Sequence, residues 1–313
     1  MEIEAAILSW PEQLAWSPVV ANQARLLPAD KFVVCGMGAS PLAAGLMKVV
    51  NPYLDLLIHR DYDLPKLPDY FLGAARVVCI SYSGQTAETL STFEAAAKQG
   101  LNTAVIATGG ELLERAKTGA RPYVQIPTAV QPRLAIGYIL KALAALLGQT
   151  VTASVEPTAW RPAGEALAGR LTGKIPLLYA AAPRWWLAYT WKIKMNETAK
   201  VPAFANVLPE LNHNEMEGFS DSVQNRQFYA LYLCDARDDA RVAKRFEALA
   251  KLNEARGLAG EVVDSPTSGN GNDWSGVINS LILADWTTLA LARARQLDPA
   301  AVPTIEQFKK LMG

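Results

Sequence analysis

Histidine and cysteine are scarce in this sequence, whose 313 residues include two histidines and three cysteines. Cys35, Cys79 and Cys234 are isolated inside apolar runs, where a thiol is typical of a hydrophobic core. With only His59 and His213 to add, the chain lacks the residues for a zinc or haem site. The sequence therefore indicates chemistry that uses neither of these metal centres.

An excess of either charge is also missing, because 30 Lys and Arg residues balance 30 Asp and Glu residues. Such a chain has no general electrostatic attraction to nucleic acid or to an anionic membrane. No uninterrupted apolar run of about 18 residues or more predicts a membrane span. The acidic N-terminus, MEIEAAILSWPEQ, lacks the basic region of a signal peptide. We therefore expect a cytoplasmic protein without nucleic-acid or membrane partners.

Hydrophobic residues, by contrast, make up 50% of the chain, which is enough for two cores. Short apolar strands alternate with helical patterns in both halves, an order typical of α/β proteins with parallel, doubly wound sheets. In the first half we predict strands at 32–35, 54–59, 77–81, 103–107 and 123–126, and helices at 41–50, 86–98, 112–117 and 133–147. In the second half we predict strands at 175–180, 229–234 and 260–263, and helices at 184–200, 238–256, 274–295 and 304–312.

The softer stretch 148–173, which carries Pro157 and Pro162, is predicted to link the halves. The domain limits follow as 1–150 and 151–313. Two lobes of this kind make the cleft between them the expected ligand site.

The stretch SYSGQTAET, residues 81–89, lies where a predicted strand gives way to a helix. Unpaired N–H groups and a partial positive charge at a helix N-terminus favour a bound anion. Ser81, Ser83 and Thr86 add hydroxyl donors, and Gly84 allows the backbone to approach a ligand closely. The absence of Lys and Arg from the loop favours one phosphomonoester over a polyphosphate. Helix capping alone would explain only one of the hydroxyls, so we predict a phosphate-binding loop.

A second glycine-bearing turn, CGMGASP at residues 35–41, invites comparison with a dinucleotide fingerprint. Pro41 stands where that fingerprint needs its third glycine, although Asp61 follows at a suitable distance. Pro41 suits the first turn of a helix that Ser40 caps. We favour a second turn that faces the sugar or the phosphate, with Gly38 and Ser40 contributing.

These two turns on successive crossovers resemble the sugar isomerase (SIS) domain family. Further segments are similar to motifs of the bifunctional phosphoglucose/phosphomannose isomerases, namely QPRLA at 131–135, WKIKMNETAK at 191–200 and ELNHNEMEGF at 210–219. The resemblance covers essentially the whole chain. It implies two SIS-type, flavodoxin-like lobes, isomerisation of glucose 6-phosphate and fructose 6-phosphate without a cofactor, and a homodimer.

The resemblance also implies roles for individual residues. Glu197 is the catalytic base, Arg133 stabilises the enediolate, and His213 opens the sugar ring from the partner chain. A lysine of the C-terminal tail, Lys309 or Lys310, also serves ring opening. The substrate phosphate is held by residues of the two turns: Gly38, Ser40, Ser81, Ser83, Gly84 and Thr86.

The residues themselves support this chemistry and also allow structural alternatives. Glu197 ends a predicted helix that is apolar nearly all round, so burial would strengthen its carboxylate as a base, but it could equally pair with Lys194 or Lys200. Histidine suits ring opening at neutral pH, yet His213 could be a solvated loop side chain. Arg133 could supply the cation that an enediolate needs, or it could form a structural pair.

The position of His213 supports the dimer. It lies in a polar, helix-poor stretch, 201–225, that is long for a connection in a compact lobe and could contact a partner. Trp185, Trp186 and Trp191 could supply an apolar interface, or they could fill their own core.

Some positions depart from the family pattern. The first turn reads GMGAS where a second glycine usually precedes the serine, and Gln85 and Ala87 replace the usual Asn and the common Glu. The family often has Thr-Pro where this chain reads Val302-Pro303-Thr304, which leaves mannose 6-phosphate activity open. A non-catalytic sugar-phosphate-binding regulator and an isomerase of a pentose phosphate or an amino sugar remain alternatives. The second half lacks a serine-rich loop, so we expect one site per chain.

Overall fold

The computed structural model describes residues 3–264 and 273–312. These residues divide into two compact units. Residues 9–155 and 273–275 form the first unit, and residues 3–8, 156–264 and 276–312 form the second. The limits 1–150 and 151–313 remain a proposal for two domains.

The described chain begins with two short helices that the sequence did not predict, α1 (Ile3–Leu8) in the second unit and α2 (Trp10–Ala15) in the first. The first unit continues with β1 (Lys31–Cys35), α3 (Leu42–Val50), β2 (Leu56–His59), α4 (Asp69–Ala74), β3 (Ala75–Ile80), α5 (Ala87–Lys98), β4 (Asn102–Ala107), α6 (Gly110–Thr118), β5 (Tyr123–Gln125) and α7 (Ile136–Leu147). The five predicted strands of this half are confirmed with small shifts of their ends. Helix α4 was not predicted.

The first sheet is parallel throughout, with the strand order β2-β1-β3-β4-β5. Val33 of β1 lies opposite Leu57 on one side and Val77 on the other. Strand β3 is buried along its whole length, as expected for a parallel strand with both faces covered. The chain moves from β1 to one neighbour and then crosses to the other, so a topological switch point lies between β1 and β3. The predicted doubly wound sheet is confirmed.

The second unit holds the remaining elements: α8 (Arg161–Leu171), β6 (Ile175–Ala181), α9 (Trp185–Lys194), β7 (Phe204–Leu208), α10 (Ser222–Asn225), β8 (Phe228–Cys234), α11 (Ala240–Ala255), β9 (Ala259–Asp264), α12 (Ser275–Ala294) and α13 (Pro303–Met312). Its sheet is parallel with the order β7-β6-β8-β9. This order repeats the pattern of the first sheet, so a second switch point lies between β6 and β8.

Two elements of this half were not predicted. The predicted link contains helix α8, whose Gly164 packs so closely on α12 that an added Cβ would lie 2.4 Å from the Cβ of Trp286. The predicted helix-poor stretch contains β7, an edge strand paired with β6. The local sequence predicts neither element, because α8 contains glycine and proline and because an edge strand is only half buried and lacks a clear apolar pattern. Tertiary contacts determine both structures.

Helix α12 has the length and composition of a membrane span, with 20 residues that include an 18-residue stretch of mean hydropathy 1.2. In the structure, 78% of this 18-residue stretch is buried. The indole N–H of Trp286 donates to the carbonyl of Pro157 at 2.8 Å. This is the burial expected of a core helix.

The three cysteines are free thiols, but two of them are neighbours in space. Cys35 on β1 lies opposite Cys79 on β3, and both are buried, whereas Cys234 is half-buried. A hydrogen bond with Cys79 and burial together raise the pKa of Cys35. The prediction of core thiols is confirmed for this pair.

Candidate functional site

The two predicted turns meet at the switch point of the first sheet. The backbone N–H of Tyr82, just after β3, donates to the hydroxyl of Ser40, just after β1, at 3.3 Å. Ser40 was expected to cap α3, and this is wrong. Helix α3 begins at Leu42 after Pro41 with no side-chain cap, because the buried Ser40 hydroxyl serves the neighbouring turn.

The loop after β3 is organised by its own hydroxyls. Ser81 Oγ lies 2.8 Å from Thr86 Oγ1 and accepts a hydrogen bond from Gly84 N at 3.1 Å. Thr86 occupies the N-cap position of α5, but its side chain caps no backbone N–H. Ser83 is exposed, and its hydroxyl accepts from Gln85 N at 3.3 Å. The first turn of α5 thus has no side-chain cap, although several hydroxyls lie next to it. This arrangement is suited to binding an anion.

Gly84 cannot be replaced without moving this loop. Its φ of +70° favours glycine, and an added Cβ would lie 2.0 Å from the carbonyl oxygen of Gly109. The carbonyl of Gly84 accepts from Leu112 N at 3.0 Å, which joins the loop to α6. Gly38 in the other turn has a φ of +58° but open space around it. Gly84, which the sequence predicts to allow close approach of a ligand, is therefore required for the close contact between its own loop and the loop after β4.

Arg133 lies in a 3-10 turn (Pro132–Leu134) before α7 and is fully buried. The buried amide of Gln13 on α2 holds this turn, donating to the carbonyl of Leu134 at 2.9 Å and accepting from Gly137 N at 3.0 Å. Sequence reasoning missed Gln13, since a lone amide in an unpredicted helix gives no signal. The structure places Arg133 in the same unit as the hydroxyl-rich loop.

The corresponding switch point of the second sheet is occupied by an ion pair. Arg184, after β6, donates to the Asp238 carboxylate at 2.5 Å and to the carbonyl of Leu233 at 2.6 Å. Both charged side chains are buried. A buried ion pair takes the place that hydroxyls hold in the first unit.

Glu197 lies in a single π-helical turn, Met195–Ala199, that continues α9. Such turns occur frequently at functional sites. The half-buried Glu197 lines a cavity of about 530 Å³ together with Asn196, Lys200 and side chains between Leu297 and Ile305. The turn ends at Lys200, which has a left-handed φ of +56°.

The lysines that were expected as alternative partners of Glu197 have other contacts. Lys194 forms a buried ion pair with Asp285 on α12. The Lys200 ammonium group donates to the backbone carbonyls of Glu197 and Ala301. Lys200 thereby ties the Glu197 turn to the segment before α13. Sequence reasoning considered this lysine only as an ion-pair partner.

His213 ends a short 3-10 helix, Glu210–His213, and is exposed. Lys309 and Lys310 lie in the last turn of α13, which is exposed throughout. Ile305, which lines the cavity beside Glu197, precedes Lys309 by one helical turn. The second unit therefore holds the predicted base, the histidine and both lysines, while the first unit holds the predicted phosphate ligands and Arg133.

Comparison with known proteins first defines the class. Residues 162–312 match the family model described as the bacterial phospho-glucose isomerase C-terminal SIS domain. The solved structure of a hypothetical protein from Thermus thermophilus has the same fold, with a TM-score of 0.69 at 15% identity over 98% of this chain and 89% of that one. The fold is thus that of a SIS-type α/β protein.

Sequence relatives narrow the class. The bifunctional phosphoglucose/phosphomannose isomerase of Aquifex aeolicus is 31% identical over 99% of this chain and 98% of its own length. The enzyme of the same name from Thermoplasma volcanium is 33% identical over 90% and 91%. A D-glucosamine-6-phosphate 4-epimerase of Sulfolobus acidocaldarius is 30% identical over 70% and 74%. The chain belongs to the bifunctional phosphoglucose/phosphomannose isomerase family, which confirms the resemblance seen in the sequence.

Proposed function

We propose that the chain is an isomerase that interconverts glucose 6-phosphate and fructose 6-phosphate without a cofactor and also accepts mannose 6-phosphate. Membership of the bifunctional phosphoglucose/phosphomannose isomerase family over essentially the whole chain carries this proposal. The hydroxyl-rich loop supports a substrate with a phosphate group. A carboxylate at the edge of a cavity supports a proton-transfer reaction.

In the proposed reaction, the substrate phosphate binds to the hydroxyls and backbone N–H groups at the start of α5. Gly38, Gly84 and the side chains of Ser40, Ser81, Ser83 and Thr86 form this binding region. A dianionic phosphate gains charge-assisted hydrogen bonds there from a loop whose sequence, residues 81–89, contains no Lys or Arg.

Proton transfer is assigned to Glu197. Its carboxylate removes the proton from C2 of the aldose and returns it to C1, while the hydroxyl proton on O2 moves to O1, so that one base serves both adjacent carbons through an enediol. Arg133 stabilises the negative charge that develops on the enediolate oxygen. His213 and one of the lysines Lys309 and Lys310 open the sugar ring before this step.

A coupled assay of the purified protein tests the function. We expect turnover of glucose 6-phosphate and fructose 6-phosphate in both directions, weaker or no turnover of pentose phosphates, and none of unphosphorylated glucose. Mannose 6-phosphate belongs in the same panel, because Val302, Pro303 and Thr304 line the cavity where the family often has Thr-Pro.

The panel also separates the alternatives. Conversion of D-glucosamine 6-phosphate alone would point to an activity like that named for the Sulfolobus relative. Saturable binding of sugar phosphates without any turnover would support a regulator and contradict the proposal.

We further propose that the protein is a homodimer in which His213 completes the site of the partner chain. The exposure of His213 supports this proposal. So does an apolar stripe along α13, where Phe308 is 61% exposed and Leu311 is 80% exposed. Trp191 follows the alternative of filling its own core, because it is buried and its indole N–H donates to Ser280 at 3.0 Å.

Complementation between inactive chains tests the shared site. Glu197→Gln and His213→Ala chains, unfolded and refolded together, should regain about a quarter of the parental activity. Random pairing makes about half of the dimers mixed, and each mixed dimer has one intact site. Each variant refolded alone is the control. Absence of recovery in the mixture would mean that His213 acts within its own chain.

A further inference from the structure

Glu215, two residues after His213, connects the histidine segment to the second sheet. One of its carboxylate oxygens accepts a hydrogen bond from the Tyr179 hydroxyl at 2.7 Å, and the other accepts from the side-chain amide of Asn206. Tyr179 lies on β6 and Asn206 on the neighbouring β7. The two oxygens are therefore held by donors from adjacent strands.

Contacts other than those with Glu215 hold both donors in place. Tyr179 is 1% exposed and packs against Tyr232, with ring centroids 6.1 Å apart. Burial, reinforced by the charge of Glu215, raises the pKa of Tyr179, so its hydroxyl remains a donor. The Asn206 amide oxygen accepts from Val207 N at 2.8 Å, which turns the amide nitrogen toward Glu215. A half-buried carboxylate between two such donors has a defined position.

The backbone between the two residues links the position of Glu215 to that of His213. Asn214 joins the short helix that ends at His213 to the next one, which begins at Glu215. The Asn214 side chain accepts from Glu215 N at 2.5 Å and donates to the Glu210 carboxylate at 3.0 Å. An exposed imidazole has few contacts of its own, so the turn that bears it determines where it lies.

We propose that Glu215 is a positioning residue for His213, acting through its hydrogen bonds to Tyr179 and Asn206. The proposal rests on the ring-opening role given to His213 above. Glu215 need not touch the substrate; it fixes the turn from which the imidazole acts. A displacement of about 1 Å in a catalytic group can lower turnover strongly, which gives such a residue a measurable effect.

A double-mutant cycle tests this role. Glu215→Gln keeps the size of the side chain but presents an N–H₂ group to one of its two donors. We expect kcat for glucose 6-phosphate to fall about tenfold while KM changes less than about threefold, because the phosphate ligands are unaffected. In a His213→Ala background, the same substitution should lower the small residual kcat, measured at high enzyme concentration, no further. A loss of equal size in both backgrounds would overturn the proposal.

Glu217→Gln is the matched control, since it removes the same charge two residues further on from an exposed side chain. Tyr179→Phe provides a second approach that leaves Glu215 in place. It should produce a smaller loss of kcat that also disappears in the His213→Ala background. Parental kcat in both Glu215→Gln and Tyr179→Phe would contradict the positioning role.

The chain has only two histidines, which allows a readout independent of activity. In ¹⁵N-histidine-labelled protein, Glu215→Gln should shift the imidazole signals of His213 and leave those of His59 unchanged. His213→Ala assigns the signals. Full activity of His213→Ala would refute the ring-opening role itself, whereas unchanged His213 signals in Glu215→Gln would refute only the positioning role.

Discussion

Replacing Glu197 by glutamine is expected to lower kcat for glucose 6-phosphate by about 10²-fold or more. The amide keeps the shape and hydrogen-bonding capacity of the side chain, but it cannot accept a proton from carbon at a useful rate. KM should stay near the parental value, since the proposed phosphate ligands lie on another part of the chain. Steady-state assays in both directions would measure the two constants separately.

The Glu197→Gln result needs a control for general damage. Glu247→Gln on α11 removes an exposed carboxylate from the same unit and should leave kcat unchanged. Thermal unfolding of both variants would show whether the π-helical turn remains stable. Turnover within a few-fold of the parental rate in Glu197→Gln would remove this residue from the mechanism.

The sequence predicted the helix that carries Glu197 but not the way in which the helix ends. The predicted helix runs to residue 200, and nothing in the spacing of its buried residues separates α9 from the π-helical turn. The turn depends on distant partners: the Arg295 guanidinium donates to the carbonyl of Ala199 at 3.0 Å, and Lys200 contacts Ala301. Contacts between residues about a hundred positions apart leave no local pattern to read.

The first sheet was easier to predict than the second for a physical reason. Strands β1, β3 and β4 are buried on both faces and appear as continuous apolar runs. The edge strand β7 begins at Phe204, which is 55% exposed, so it lacks that pattern. Because β7 carries Asn206, the environment of Glu215 could not be predicted once this strand was missed.

The hydroxyl-rich loop was predicted correctly in its position, but its internal contacts were not. A serine-rich turn after an apolar strand indicates a helix N-terminus at a sheet edge. The pairing of Ser81 with Thr86, and of Ser40 with the backbone of Tyr82, depends on how two separate crossovers meet. Those contacts use hydroxyls that capping rules would have assigned to the helices.

Substitution of both Ser83 and Thr86 by alanine should raise KM for glucose 6-phosphate by roughly 10²-fold or more, with a smaller change in kcat. Each hydrogen bond lost to a charged phosphate is worth about 1.5–3 kcal/mol, and two such losses give this factor. Ser81 should keep its bond from Gly84 N, so the loop itself is expected to persist. Steady-state kinetics gives both constants, and sulfate should compete with the substrate in the parent but much less in the variant.

Thr118→Ala provides the matched control, because this exposed threonine ends α6 in the same unit. It should leave both KM and inhibition by sulfate unchanged. The comparison distinguishes a loop that binds phosphate from one that only begins a helix, since helix capping affects stability rather than affinity for an anion. A double variant with parental KM and parental sulfate inhibition would show that the hydroxyls serve the fold alone, and the phosphate would then need a binding site elsewhere on the chain.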